Sequence, residues 1–170
     1  MDANFSACLD AVLANEGGFS DDVSDPGGAT NLGITLTTLS AWRGSPQTIA
    51  DVEGLTKADV EPIYRADYWN LTGCQDWPPG VDLMVFDTAV NEGPGRAVRT
   101  LQTAVSVKAD GLIGPATKAA VAAAKASALI EAMANERIAY YESLPGYPRF
   151  GVGWVARVQR TALAALEMAA

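Results

Sequence analysis

Residues 81–91, Val-Asp-Leu-Met-Val-Phe-Asp-Thr-Ala-Val-Asn, are apolar on nearly every side of a helix. A helix with one apolar stripe lies on a surface, whereas one that is apolar all round must be enclosed by other elements. This segment predicts a central buried helix, and the rest of the chain has to surround it. That remainder also reads almost entirely as helix. Phe5, Cys8, Leu9, Val12 and Leu13 follow the spacing of an amphipathic helix, with Asn4 as its N-cap and Gly17-Gly18 as its stop. A short helix is expected over 37–43, closed by Gly44 and Pro46. Thr56 and Asp59 make a capping box that opens a helix running to about Trp69, kinked near Pro62. After the Gly93-Pro94-Gly95 break, helices are expected over 96–105, 115–125 and 127–144, and from Pro148 to the C-terminus. Strand signals are confined to short possibilities near Ile34 and Ile113. The expected fold is all-α, with at most a short β element near the polar loop that follows Phe19.

The chain has 170 residues, of which 49% are hydrophobic and 19% charged, so a sizeable core forms without disulfides or a structural metal. Its net charge of -8 is unevenly placed. Residues 1–92 hold fifteen acids and three bases, a balance of -12; residues 93–170 hold five acids and nine bases, a balance of +4. We set a soft boundary there, between a 1–92 region and a 93–170 region. Two functional halves and two differently solvated faces of one unit both fit such a split. The acidic total argues against a general nucleic-acid partner. No stretch is apolar enough for membrane insertion. Met1 to Leu13 carries Asp2 and Asp10 and no cation, so no signal peptide is expected and any export would come from elsewhere.

The histidine count is zero, which removes Ser-His and Cys-His nucleophiles, His-ligated metals and HExxH proteases. Cys8 and Cys74 cannot build a zinc site, and Cys8 reads as a buried free thiol. No metal and no cofactor is expected. Chemistry is left to carboxylates, hydroxyls, lysines and arginines.

Among the carboxylates, Glu16 lies three residues after Leu13 and eleven after Phe5, along the apolar stripe of the first helix and at its C-terminal end. Desolvation and the helix dipole both favour its protonated form there, as a general acid requires. The alternative is a glutamate whose stem packs on the stripe while its head reaches water. A polar, turn-rich loop with Asp21, Asp22 and Asp25 follows and closes on Thr30. A second, ionised carboxylate beside a neutral Glu16 is the layout of glycoside hydrolysis; an ordinary Asp-capped turn is the other reading.

Glu16-Gly17-Gly18-Phe19, Asp22, Asp25-Pro26-Gly27-Gly28-Ala29-Thr30-Asn31 and Gly33-Ile34 resemble the glycoside hydrolase family 108 N-acetylmuramidases. These lysozyme-like enzymes are found often as phage endolysins. The resemblance continues through Tyr64, Asp67-Tyr68-Trp69, Phe86-Asp87, Ala89-Val90-Asn91 and Gly93. Leu101-Gln102, the 110–115 turn and Thr117 resemble that family's predicted peptidoglycan-binding region. The sequence departs from the pattern at Phe19, usually tyrosine, and Val23, often proline.

The resemblance implies a lysozyme-like muramidase that cleaves the β-1,4 bond between N-acetylmuramic acid and N-acetylglucosamine. Glu16 would be the catalytic acid, Asp25 the second carboxylate, and Thr30 a group that positions water. Phe19, Asp22, Asn31, Tyr68, Trp69 and Asn91 are the implied substrate-binding residues, and Trp77 is a further aromatic near them in sequence. Asp87 and Asn91, one turn apart on the central helix, either orient Glu16 and the loop or form a structural network. Arg96, Arg99, Lys108, Lys118, Arg149, Arg157 and Arg160 are candidates for attracting the anionic wall. The expected partner is bacterial peptidoglycan, met by a monomer made in the host cytoplasm and released to the wall by a holin. A lytic transglycosylase and a non-catalytic wall-binding or secretion-associated protein are the rival readings.

Overall fold

The computed structural model describes residues 4–21 and 28–170. Among them are nine α-helices and one two-stranded sheet, in the order α1 Phe5–Leu13, β1 Thr30–Asn31, β2 Ile34–Thr35, α2 Leu36–Arg43, α3 Ile49–Glu53, α4 Lys57–Tyr64, α5 Val81–Glu92, α6 Pro94–Ala104, α7 Pro115–Ala123, α8 Ala126–Glu142 and α9 Tyr147–Met168. This is the mostly-α, lysozyme-like architecture that the sequence implies, with its short β element where Ile34 signals it.

Helix α5 is the axis. Every residue from Val81 to Ala89 is buried, and α1, α6, α8 and α9 pack around it. Phe86 meets Phe5 and Trp69 with ring centroids 5.9 and 5.3 Å apart, and Phe5 and Trp69 complete the triangle at 5.1 Å in an edge-to-face contact. Edge-to-face pairs add about 0.5–1.5 kcal/mol beyond the area they bury. The core runs without interruption from Phe5 of α1 to Ala165 of α9. No described helix is long and apolar enough to cross a membrane.

Local signals account for most helix ends. Thr56 and Asp59 form the expected capping box, and Thr48 with Asp51 forms a second one that opens α3. Asn4 does not cap α1 through its side chain; its Nδ2 donates to Asp82 at the start of α5, 3.1 Å away. Helix α1 also stops earlier than its glycines suggest, at Leu13. Beyond Tyr64 the α4 spiral widens into one π turn, Arg65–Trp69. Such turns are rare and favour functional sites. Cys8 and Cys74 are buried free thiols, and burial pushes both of them up.

The hairpin is short and tightly specified. Thr30 pairs with Thr35 and Asn31 with Ile34. The connecting residues Leu32 and Gly33 both have positive φ, 49° and 74°, as a two-residue hairpin loop of the I′ type demands. Ser20 bridges to Thr30 by two backbone hydrogen bonds of 2.8 Å. The bridge pins both ends of the segment that carries Asp22 and Asp25, residues that themselves lie outside the described ones.

Candidate active site

Glu16 follows a tight turn after α1, in which Asn15 N donates to Val12 O and Glu16 N to Leu13 O at 2.9 and 3.1 Å. Its side chain keeps 19% of its surface. Three elements from distant parts of the chain meet on it. The hairpin tip presents Gly33, where a Cβ would stand 3.3 Å from Glu16 Oε2 and 3.4 Å from Cγ. Helix α4 presents Tyr64, whose hydroxyl donates to Leu32 O at 2.9 Å and so ties the hairpin tip down beside the carboxylate. Helix α9 presents Arg157, with Nη2 2.9 Å from Glu16 Oε1.

Gly33 is therefore constrained twice, by its left-handed backbone and by space. Gly44, φ 67°, is a natural control, since a Cβ there would meet nothing within 4 Å. Gly33→Ala and Gly44→Ala should each lose about 1–2 kcal/mol of stability from the left-handed conformation. Only Gly33→Ala should also lose activity, by about 100-fold, because the new methyl presses on Tyr64 Oη and displaces the carboxylate. Equal activities in the two folded variants would mean that the hairpin tip does not hold Glu16.

Behind Glu16 lies a chain of charges. Arg157 reaches Asp87 Oδ1 with Nη2 and Nε, at 2.9 and 3.1 Å. Arg137 Nη1 grips Asp87 Oδ2 at 2.8 Å, and both of those side chains are fully buried. Arg137 Nε then donates to Glu92 Oε1 at 2.9 Å. The Tyr141 hydroxyl lies 2.8 Å from the same oxygen and 2.5 Å from Asn91 Oδ1. Arg96 sits 3.8 Å from Glu92 Oε2 and stacks on the Tyr140 ring. Three carboxylates thus face three guanidiniums. Burial pushes the Asp87 carboxyl up, but the guanidiniums of Arg137 and Arg157 outweigh it and hold the group below its usual value. Burial also pushes the Tyr64 and Tyr68 phenols up, helped by the charge of Glu16. Both stay protonated, and therefore donors, over the range where proteins work.

The structure revises several expectations. Trp69 is fully buried between Phe5 and Phe86 and cannot bind substrate. Trp77 is buried as well, and its Nε1 donates to Thr72 O at 2.8 Å. Asn31 is buried too; its Nδ2 donates to Val52 O and Glu53 O at 3.1 and 2.9 Å, fastening the hairpin to α3 rather than facing a ligand. Asn91 is exposed, but its side-chain oxygen is engaged by Tyr141. Phe19, 40% exposed, and half-buried Tyr68 remain open to a ligand. Thr30 is half-buried, its hydroxyl donating to Gly28 O at 3.2 Å. Asp22 and Asp25 fall outside the described residues. Three cations of the basic half, Arg157, Arg137 and Arg96, serve the charge chain, while Lys118 stays exposed and pairs with Asp76 at 2.7 Å. Part of the charge asymmetry between the halves is thus complementarity between them, while Arg99, Lys108, Arg149 and Arg160 remain exposed.

Arg157 and Arg137 are site residues that the motifs do not include, although each carries a local signal. Arg137 lies four residues from both Met133 and Tyr141, and Arg157 three from Trp154 and four from Thr161. Each arginine therefore sits on the inward stripe of its helix.

A lysozyme-like helical body with a partly open carboxylate beside the hairpin tip fits the class of glycoside hydrolases. The comparisons agree. The glycosyl hydrolase 108 family model matches residues 9–93, and a model described as a predicted peptidoglycan domain matches residues 96–159. The chain belongs to the glycosyl hydrolase 108 family, and the two matches together indicate a peptidoglycan hydrolase. The solved structure of Brucella abortus SagA is 43% identical over 99% of this chain and 97% of that one, with a TM-score of 0.86. No curated protein matches this chain.

Proposed function

We propose that this protein is an N-acetylmuramidase that hydrolyses the β-1,4 bond between N-acetylmuramic acid and N-acetylglucosamine, with Glu16 as general acid. The observation that carries the reading is the placement of Glu16. It is a carboxylate on the turn after α1, still partly open to solvent, paired with Arg157 of α9 and close beside the hairpin tip that Tyr64 of α4 ties down. Glu16 protonates the leaving glycosidic oxygen while positive charge develops on the muramic acid ring. Asp25 is the second carboxylate of this proposal, by resemblance, and either stabilises that charge or activates water. Thr30, at the clamped base of the same loop, is assigned to positioning the water. Phe19 and Tyr68 are the aromatic surfaces offered to the glycan.

The product distinguishes this reaction from its neighbours. Digestion of purified peptidoglycan, reduction with borohydride and mass spectrometry should show muramic acid at the reducing ends. Reducing-end N-acetylglucosamine would assign the other glycosidic bond, and 1,6-anhydromuramic acid would mean a transglycosylase that uses no water. An Asp25→Ala variant should lose hydrolysis here, whereas a transglycosylase would tolerate it.

A further inference from the structure

We propose that Arg157, supplied by the last helix, is a positioning residue that fixes Glu16 Oε1 as an acceptor and leaves Oε2 as the atom that delivers the proton. This rests on the muramidase reading above. The orientation of the guanidinium is set elsewhere. Its Nε and Nη2 fork onto Oδ1 of fully buried Asp87, at 3.1 and 2.9 Å, and Arg137 holds the other oxygen of that carboxylate at 2.8 Å. Nε also lies 3.4 Å from Oδ2, so the guanidinium is held on both carboxylate oxygens by charge-assisted hydrogen bonds. Nη2, so fixed, stands 2.9 Å from Glu16 Oε1.

A guanidinium has donors and no acceptor. The carboxyl oxygen facing it can only accept, so the proton of the acid form resides on the other oxygen. That oxygen, Oε2, lies on the side of exposed Gly33, where the missing Cβ leaves room. When the proton passes from Oε2 to the glycosidic oxygen, the electron pair of the breaking C–O bond goes to that oxygen. Glu16 is left as a carboxylate whose new charge faces Arg157. The arrangement also assigns a catalytic duty to the half of the chain matched as a peptidoglycan domain, because Arg157 lies within its 96–159 span. That half completes the acid rather than only carrying the enzyme to its substrate.

The test uses full-length Arg157→Gln, Arg157→Lys and Arg157→Ala on soluble peptidoglycan oligomers, below the melting temperature of each variant. Asp87 keeps Arg137 in all three, so the fold should persist. Arg157→Gln should lower kcat about 100-fold, as a displaced catalytic group does, with KM within about twofold of wild type. Arg157→Lys should recover part of the loss, and millimolar guanidinium should raise kcat of folded Arg157→Ala. A loss confined to KM, unchanged kcat, or a kcat loss that neither lysine nor guanidinium repairs would overturn the proposal while wild-type muramic acid ends still supported the muramidase. Absence of those ends from wild type would instead remove the reading on which it rests.

Discussion

Asp87→Asn should cost about 3–5 kcal/mol of folding stability, the range seen when one member of a buried ion pair is removed. The substitution keeps shape and volume but deletes the central anion of the charge chain. Arg137, fully buried, and Arg157 would then face each other across a neutral amide. Glu92 would still hold Arg137 and Glu16 would still hold Arg157, but neither lies between the two cations. The measurement is urea unfolding of wild type and variant, read at unchanged m-value. A loss under about 1 kcal/mol would put the pair in the class of surface ion pairs and contradict the account.

The same group gives the sign of a pH effect. The Asp87 carboxyl is held below its usual value in the folded protein by Arg137 and Arg157, against the opposing pull of burial. In the unfolded chain it titrates near about 3.9. Its stabilising contribution is therefore fully present above that value and is lost as pH falls from about 4 through the folded value. Wild type should lose stability over that acid window more steeply than Asp87→Asn, which has no proton to take up at this position.

What the sequence made legible was local. The all-round apolar run 81–91 showed the axis of the fold, because complete burial leaves a one-dimensional mark. Thr56 with Asp59 marked a helix start, because a cap and its partner lie three residues apart. Glu16 stands out as a carboxylate on the extension of an apolar stripe, although the helix ends at Leu13 and the residue lies on the turn beyond it. What stayed hidden was long-range. Trp69 follows Asp67 and Tyr68 in a motif that suggested a glycan platform, yet its ring is taken into the Phe5–Phe86 triangle while Tyr68 stays partly exposed. Asn31 sits in the loop motif, and nothing local reveals that its amide reaches the carbonyls of Val52 and Glu53. Arg157 is 70 residues from Asp87 in the chain, so no periodicity relates the two. An arginine on an inward stripe announces that a buried anion exists without naming it.

Glu16→Gln should lower kcat by about 10²–10⁴, the range that a positioned proton donor contributes, while leaving the fold intact. Glutamine keeps the oxygen that accepts from Arg157 and nearly fills the same volume against Gly33, so the hairpin, α4 and α9 retain their contacts. It removes only the transferable proton. The decisive measurement is the rate at which reducing ends appear from purified peptidoglycan with wild type and Glu16→Gln. Thermal stability and wall binding of both proteins are checked in parallel. The expected result is a folded, wall-binding variant with its rate down by at least about two orders of magnitude. A folded variant that releases the same fragments at a rate close to wild type would contradict it, and the proton would have to come from another group.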